Sequence, residues 1–170
     1  MTLPSVDALI DKLAQALTPY FSIPDNLPII VGIETGGAWI AERLHQRIAP
    51  EADLGRLNIS FYRDDFTRSG LHPTVKPSSL PTDIDDKTII LVDDVLHSGR
   101  TVRAAMNEIF DYGRPKRIVL AILIDRGERE IPVQADIVAK TMDLDAGSHI
   151  KLEGPEPLTL VVKTLEPAVG

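Results

Sequence analysis

Cysteine is absent from the 170 residues, which excludes a disulfide framework, a thiolate metal site and a thiol nucleophile. Any chemistry must come from oxygens, nitrogens and bound ions, and the composition fits a reducing compartment. No apolar run approaches the roughly 20 residues that span a bilayer. The opening stretch MTLPSVDALIDKLAQAL lacks the basic segment that begins a secretory signal, so a soluble cytoplasmic protein with no membrane partner is expected. Positive charge is scarce: 18 Lys and Arg face 25 Asp and Glu, for a net charge of −7. A broad electrostatic footprint for nucleic acid or anionic lipid is disfavoured by that balance, since such binding neutralises phosphates with basic side chains. A local basic patch stays open. The P-loop run GxxxxGK[ST] and the dinucleotide fingerprint GxGxxG are both missing. There is no internal repeat, low-complexity tract or linker. With 44% hydrophobic residues, a single domain covering residues 1–170 around one core is expected.

What is present reads as alternating strands and helices. Pro4 and Ser5 precede Val6, Leu9, Ile10, Leu13, Leu17 and Phe21, a spacing that puts one apolar stripe on a packing helix with Ser5 at its N-cap. Leu27 to Ile33 is a short continuous apolar run of the kind found in strands covered on both faces. It is followed by the glycine turn Glu34-Thr-Gly-Gly37 and by helical periodicity from Ala38 to Ile48. A further strand is expected from Leu57 to Tyr62. About 25 residues with scattered Pro, Gly, Asp and Ser then separate it from the apolar run that starts at Thr88, a length typical of a lid or binding loop. Thr88 to Val92 and Arg117 to Ile124 are two more buried-strand candidates, joined by a helix from Thr101 to Tyr112 that stops at Gly113 and Pro115. This alternation predicts an α/β fold with a parallel sheet. In the tail, Ile137 to Met142, His149 to Leu152 and Leu158 to Lys163 are strand-like pieces without an assigned place.

The stretch from Lys87 to Met106 carries the chemistry. Its apolar strand ends in two adjacent acids, Asp93 and Asp94, and a short polar loop with one glycine then opens a helix. Open α/β sheets bind ligands at the carboxyl ends of their parallel strands, which places both acids at the edge of a crevice. Two carboxylates there can accept hydrogen bonds from the vicinal hydroxyls of a ribose, directly or through a metal's water shell. The backbone N–H groups of His97 to Thr101 point toward a helix start whose dipole favours an anion, and Ser98 and Thr101 add hydroxyl donors. A 5′-phosphate fits that cradle. Adjacent acids after a strand are often only solvated turn residues, and Ser-Gly before a helix is often only a cap. Their union in one strand, acid, acid, loop, helix unit favours function over either bland reading.

This segment resembles the phosphoribosyl-pyrophosphate motif of the type I phosphoribosyltransferases. The blocks Val31-Gly-Ile-Glu-Thr-Gly-Gly37, Tyr62-Arg-Asp-Asp65, Val95 to Met106, Gly113-Arg-Pro115 and Asp125-Arg-Gly-Glu-Arg-Glu-Ile-Pro132 are similar to those of one branch, the bifunctional pyrimidine-operon attenuators and uracil phosphoribosyltransferases known as the PyrR family. The resemblance implies a mainly parallel central sheet flanked by helices, with a flexible hood loop. It implies the reaction of uracil with phosphoribosyl pyrophosphate to give uridine monophosphate and pyrophosphate, with Mg2+ held mostly by substrate oxygens and only indirectly by Asp93 and Asp94. Uridine nucleotides are the implied ligands and a homodimer or higher homo-oligomer the implied assembly. Asp93, Asp94 and Arg63 become the catalytic candidates. Val95, Leu96, His97, Ser98, Gly99, Arg100 and Thr101 become the phosphate loop, and Glu34, Thr35, Gly36 and Gly37 the pyrophosphate loop. Asp125 and Arg126 become base contacts.

Members of that family carry a basic residue at the position of Glu34 and an arginine at that of Gly36, so two positive charges are missing near the expected pyrophosphate. Arg63 is the candidate replacement, with Arg68 and Lys76 further along the same loop. Trp39 is expected in the core, and His45, His72 and His149 show no metal-ligand spacing. Two alternatives remain: a nucleotide-sensing, RNA-binding attenuation regulator with little enzymatic activity, and a phosphoribosyltransferase for another base. RNA binding is disfavoured because Lys12 is the sole basic side chain between Met1 and Ala41, and because Glu128 and Gln134 stand where basic residues are expected in RNA-binding relatives.

Overall fold

The structure, a computed structural model, describes residues 2–60, 77–81 and 83–165. Arg63, Arg68, His72, Lys76 and the Tyr62-Arg-Asp-Asp65 block lie outside that range.

Helix α1, Val6–Leu17, begins where the sequence places it: the Ser5 hydroxyl accepts the Ala8 N–H at 3.4 Å, and Asp7 lies in the positive first turn. Leu9, Ile10, Leu13 and Leu17 recur at three- and four-residue steps and are all buried. Phe21 does not extend this helix. Pro19 opens a 3-10 turn over Thr18–Phe21 instead, as expected of a residue that lacks the N–H needed to continue an α-helix.

Strand β1, Ile29–Ile33, is buried along its whole length and leads into helix α2, Gly36–Ile48. Strand β2 is Leu54–Leu57, earlier in the chain than the expected Leu57 to Tyr62, because its register on β1 pairs Ile30 with Leu54 and Ile33 with Leu57. Strand β3, Thr88–Leu96, runs four residues past the expected end and includes both acids, since Asp93, Val95 and Leu96 stay paired with the next strand. Helix α3, Arg100–Tyr112, strand β4, Arg117–Asp125, and strand β5, Ile137–Thr141, complete a five-stranded parallel sheet in the order β2-β1-β3-β4-β5. The tail pieces at Ser148–Glu153, β6, and Thr159–Thr164, β7, pair with each other as an antiparallel ribbon.

Strand alternation divides the core between two faces. Ile30, Ile90, Val92, Val119, Ala121 and Leu123 pack with α1 and α2, whereas Val31, Ile89, Leu91, Leu120 and Ile122 pack with Val102, Ala105 and Ile109 of α3. Each fully buried Leu or Ile contributes roughly 1.5–3 kcal/mol, so these two clusters hold the sheet between its helices. The ribbon joins the first face through Ile150, Leu152 and Leu160. No described helix is long and apolar enough to cross a membrane.

The connections from β1 and β3 leave the sheet in opposite directions, so a crevice opens between the carboxyl ends of these neighbouring strands. This reversal is the switch point at which doubly wound sheets bind ligands.

Candidate active site

A cleft of about 410 Å³ occupies that crevice. Its floor is the end of β3: Asp93, Asp94 and Val95 line it. One wall is the loop after β1, with Glu34, Thr35 and Gly36; another is Thr101 in the first turn of α3; a third comes from Trp39, Lys151 and Leu152. A smaller hollow of about 170 Å³ lies between Ala38, Leu54, Arg56 and Ser79, away from the acid pair.

Asp93 is buried, at 5% exposure, and its Oδ1 accepts the Asp94 N–H at 2.9 Å. Asp94 is more open, with its Oδ1 accepting the Val95 N–H at 2.9 Å. Its other oxygen faces Gly36 so closely that a β-carbon there would lie 2.3 Å from Oδ2. Only a glycine lets the two loops approach to this degree. Glu34, next along, is anchored by its N–H on the Leu57 carbonyl at 2.8 Å and faces the Arg56 guanidinium at 3.7 Å. The Glu34–Thr35 peptide is cis. Gly37 is buried in the first turn of α2.

At the other end, Gly99 caps α3 with a φ of +91°, a left-handed conformation that favours glycine. The first-turn amides of an α-helix have no acceptor within the helix; here they stand beside Thr101 at the cleft, where the positive end of the dipole favours an anion. The loop before α3 is braced from behind. The Ser98 carbonyl accepts the N–H groups of Glu130 and Ile131, each at 3.0 Å, and the Leu96 carbonyl accepts that of Arg126 at 3.0 Å. The Ser98 hydroxyl accepts the Arg100 N–H at 3.2 Å. Leu96 itself is packed into the α3 side of the core. His97 meets Glu128 at 3.2 Å, and Arg100 meets Glu130 at 2.7 Å. Of the residues expected to form the phosphate loop, Val95 and Thr101 line the cleft, and the others shape the turn.

Asp125 and Arg126 have internal partners. Arg129 grips the Asp125 carboxylate with two hydrogen bonds, at 2.6 and 2.9 Å, and also donates to the His97 carbonyl at 3.0 Å and the Val133 carbonyl at 2.8 Å. The Arg129 hydrogen bonds hold the Asp125 carboxyl below the ordinary carboxylate range; burial opposes this, and the Gly127 N–H reinforces it. The Arg126 side chain is almost fully buried, donating to the Ser148 carbonyl of β6 at 3.2 Å and to Glu128 at 3.0 Å, while its Nε has no partner among the described residues. It ties the ribbon to the end of β4.

Three cleft residues escape the sequence reading. Trp39 is half-buried, packing on the core as expected while also lining the cleft; its place one turn past the β1 loop is the available signal. Lys151 and Leu152 come from the ribbon, about 57 residues beyond the acids, and no local pattern marks them. The His45 Nε2–H donates to the Ala52 carbonyl at 2.8 Å, and the ring stays outside the cleft.

The family model for the phosphoribosyl transferase domain matches residues 3–153. A Nitrosococcus oceani protein named bifunctional protein PyrR is 50% identical over 166 residues, covering 96% of this chain and 94% of that one. Its namesake from Pseudomonas paraeruginosa is 49% identical, covering 99% of each. Among solved structures, a hypoxanthine phosphoribosyltransferase from Staphylococcus aureus superposes with a TM-score of 0.67 over 100% of this chain and 94% of its own, at 19% identity. A purine phosphoribosyltransferase from Pyrococcus horikoshii gives 0.60 at 26% identity, covering 84% of this chain and 86% of that one.

Proposed function

The chain belongs to the phosphoribosyl transferase domain family, and from that membership we propose that its cleft joins uracil to the ribose 5-phosphate of phosphoribosyl pyrophosphate, releasing pyrophosphate. It is an enzyme of the kind represented by the bifunctional PyrR proteins, with a role in regulating pyrimidine synthesis. The observation that supports this reading best is the meeting of Asp93 and Asp94, the α3 N-terminus and the Glu34 to Gly36 loop around one cleft. Each end of the substrate then has a partner: the 5′-phosphate at α3, the ribose hydroxyls at the acid pair, the pyrophosphate at the β1 loop.

The protein needs to do little covalent work. Bond exchange at C1′ passes through a state with positive charge on the ribose, and fixed carboxylates near it favour that charge without reorganising. Holding both substrates in line contributes the rest. Phosphoribosyltransferases generally use magnesium with this substrate. The described residues include no group of three or more His, Cys, Asp or Glu able to cage a metal. Paired aspartate oxygens nonetheless fit a hard cation that draws most of its ligands from substrate and water. When bound, magnesium supplies charge neutralisation for the departing pyrophosphate.

On the regulatory side, the basic residues behind the phosphate loop are engaged internally: Arg126 with Glu128, Arg129 with Asp125, Arg100 with Glu130. That pairing supports weak RNA binding. Self-association in the cytoplasm completes the reading, and exposed Phe110 and Tyr112 at the end of α3 lend it apolar surface. The test is nucleotide formation from phosphoribosyl pyrophosphate, magnesium and, in turn, uracil, hypoxanthine, guanine and adenine. Uridine monophosphate alone is expected. No product with uracil, or undiminished activity in Asp94→Asn, overturns the reading, and a product with a purine replaces uracil as substrate.

A further inference from the structure

The cleft is short of positive charge. Its described lining holds three carboxylates, Glu34, Asp93 and Asp94, against one cation, Lys151. Yet the leaving group is a polyanion whose charge exceeds that of one magnesium ion, so a side-chain cation beside it favours the breaking of the bond to C1′. The β1 loop cannot supply one. Gly36 and Gly37 carry no charge, and Asp94 Oδ2 packs against Gly36 where a β-carbon would stand. Glu34 adds negative charge, and Arg56 faces it at 3.7 Å from outside the cleft lining, balancing the acid without adding a surplus.

Lys151 is placed differently. On β6 it stands between Ile150 and Leu152, which are 7% and 2% exposed, so the alternation of the strand turns its side chain away from the core and leaves it exposed. The other ribbon lysine, Lys163, is paired with Glu153 at 3.3 Å. The Lys151 ammonium has no ion pair among the described residues, although it borders the same cleft as three carboxylates.

We propose that Lys151 binds the pyrophosphate group as a side-chain cation, reaching it from the ribbon because the β1 loop here offers backbone amides, a threonine hydroxyl and a carboxylate but no cation. This rests on the phosphoribosyl-transfer reading above. In the step it serves, the C1′–O bond breaks and its electron pair leaves on the pyrophosphate oxygen. The new bond forms from uracil N1 to C1′, and the N1 proton passes to solvent. The ammonium hydrogen-bonds the oxygens that gain charge and keeps its own proton.

The test compares Lys151→Gln and Lys151→Arg with the wild-type chain, all with magnesium. Lys151→Gln is expected to raise the KM for phosphoribosyl pyrophosphate, and for pyrophosphate in the reverse direction, by roughly ten- to a hundredfold, as for a lost charge-assisted hydrogen bond. The KM for uracil and the Kd of uridine monophosphate should stay within about twofold, and Lys151→Arg should recover most of the loss. Unchanged thermal melting of Lys151→Gln establishes that its fold is intact. A pyrophosphate-side KM within twofold of wild type overturns the proposal. So does a loss confined to uracil and uridine monophosphate, which makes Lys151 a base contact. Calorimetric titration with magnesium pyrophosphate requires no turnover: weaker binding in Lys151→Gln supports the proposal and equal binding refutes it, even if the wild-type chain makes no nucleotide and the phosphoribosyl-transfer reading fails.

Discussion

Arg129→Ala removes one side chain that holds three parts of the site together. Arg129 makes four contacts of 3.0 Å or less: two to the Asp125 carboxylate and one each to the carbonyls of His97 and Val133. The side chains of Arg129 and Asp125 are 22% and 17% exposed, so the pair is screened less than a surface ion pair, and its loss leaves a half-buried carboxylate uncompensated. A fully buried pair costs about 3–5 kcal/mol to break. Partial access of water brings the expected loss to about 2–4 kcal/mol, or roughly 5 to 15 °C in melting temperature for a chain of this size. The pH dependence has a definite sign. Asp125 is depressed in the folded chain, so its contribution is fully present above the ordinary aspartate pKa of about 3.9. It is lost as pH falls through the lower folded value. Urea unfolding followed by circular dichroism should therefore show a constant gap between wild type and Arg129→Ala from pH 8 to about pH 5, narrowing below about pH 4. A gap under about 0.5 kcal/mol at pH 7, or one that does not narrow in acid, refutes the reasoning.

Three further outcomes follow from the same geometry. Gly36→Ala places a methyl group 2.3 Å from Asp94 Oδ2 and should lower kcat/KM for phosphoribosyl pyrophosphate by roughly tenfold or more, because the carboxylate proposed to meet the ribose is displaced; wild-type kinetics would mean that Asp94 yields freely. Gly99→Ala must adopt a φ of +91° beside the Val133 Cβ at 3.3 Å, and should cost about 1–2 kcal/mol in urea unfolding, with equal stability counting against a required left-handed cap. Filter binding to pyrimidine-operon leader RNA should show no sequence-selective complex at submicromolar protein, since Arg126 and Arg129 after β4 are already paired; a selective, salt-dependent complex in that range contradicts this.

The parts of the site that lie next to one another in the chain are legible in the residues alone. Asp93, Asp94 and the helix start after Gly99 declare themselves because strand, acids, turn and helix follow in sequence, and β1, β3 and β4 stand out as apolar runs buried on both faces. Strand β2 escapes such a reading because it lies at the edge of the sheet, is only four residues long and exposes Leu54. Its position follows from register, while Leu57 to Tyr62 is more strand-like by composition. The extension of β3 through two aspartates is hidden for a similar reason, since ladder bonds are made by the backbone and tolerate polar side chains. Asp125 resembles a base contact because it ends a strand beside the crevice, whereas its engagement by Arg129 depends on a turn that no spacing rule encodes. Lys151 reaches the cleft only through the docking of the ribbon, a tertiary event.

That ribbon is a second sheet. It shares no ladder of backbone bonds with the five-stranded one, and two paired strands are at best marginally stable alone in water. Ile150, Leu152 and Leu160 in the core, the Arg126 bond to Ser148 and the Arg43 bonds to Pro155 and Glu156 help to hold it in place. A molecule that touches Lys151 on one side and Asp94 on the other is therefore a strut between two separately built pieces. While bound, it serves as a piece of tertiary structure, and the rigidity of the cleft's third wall becomes a property of the complex.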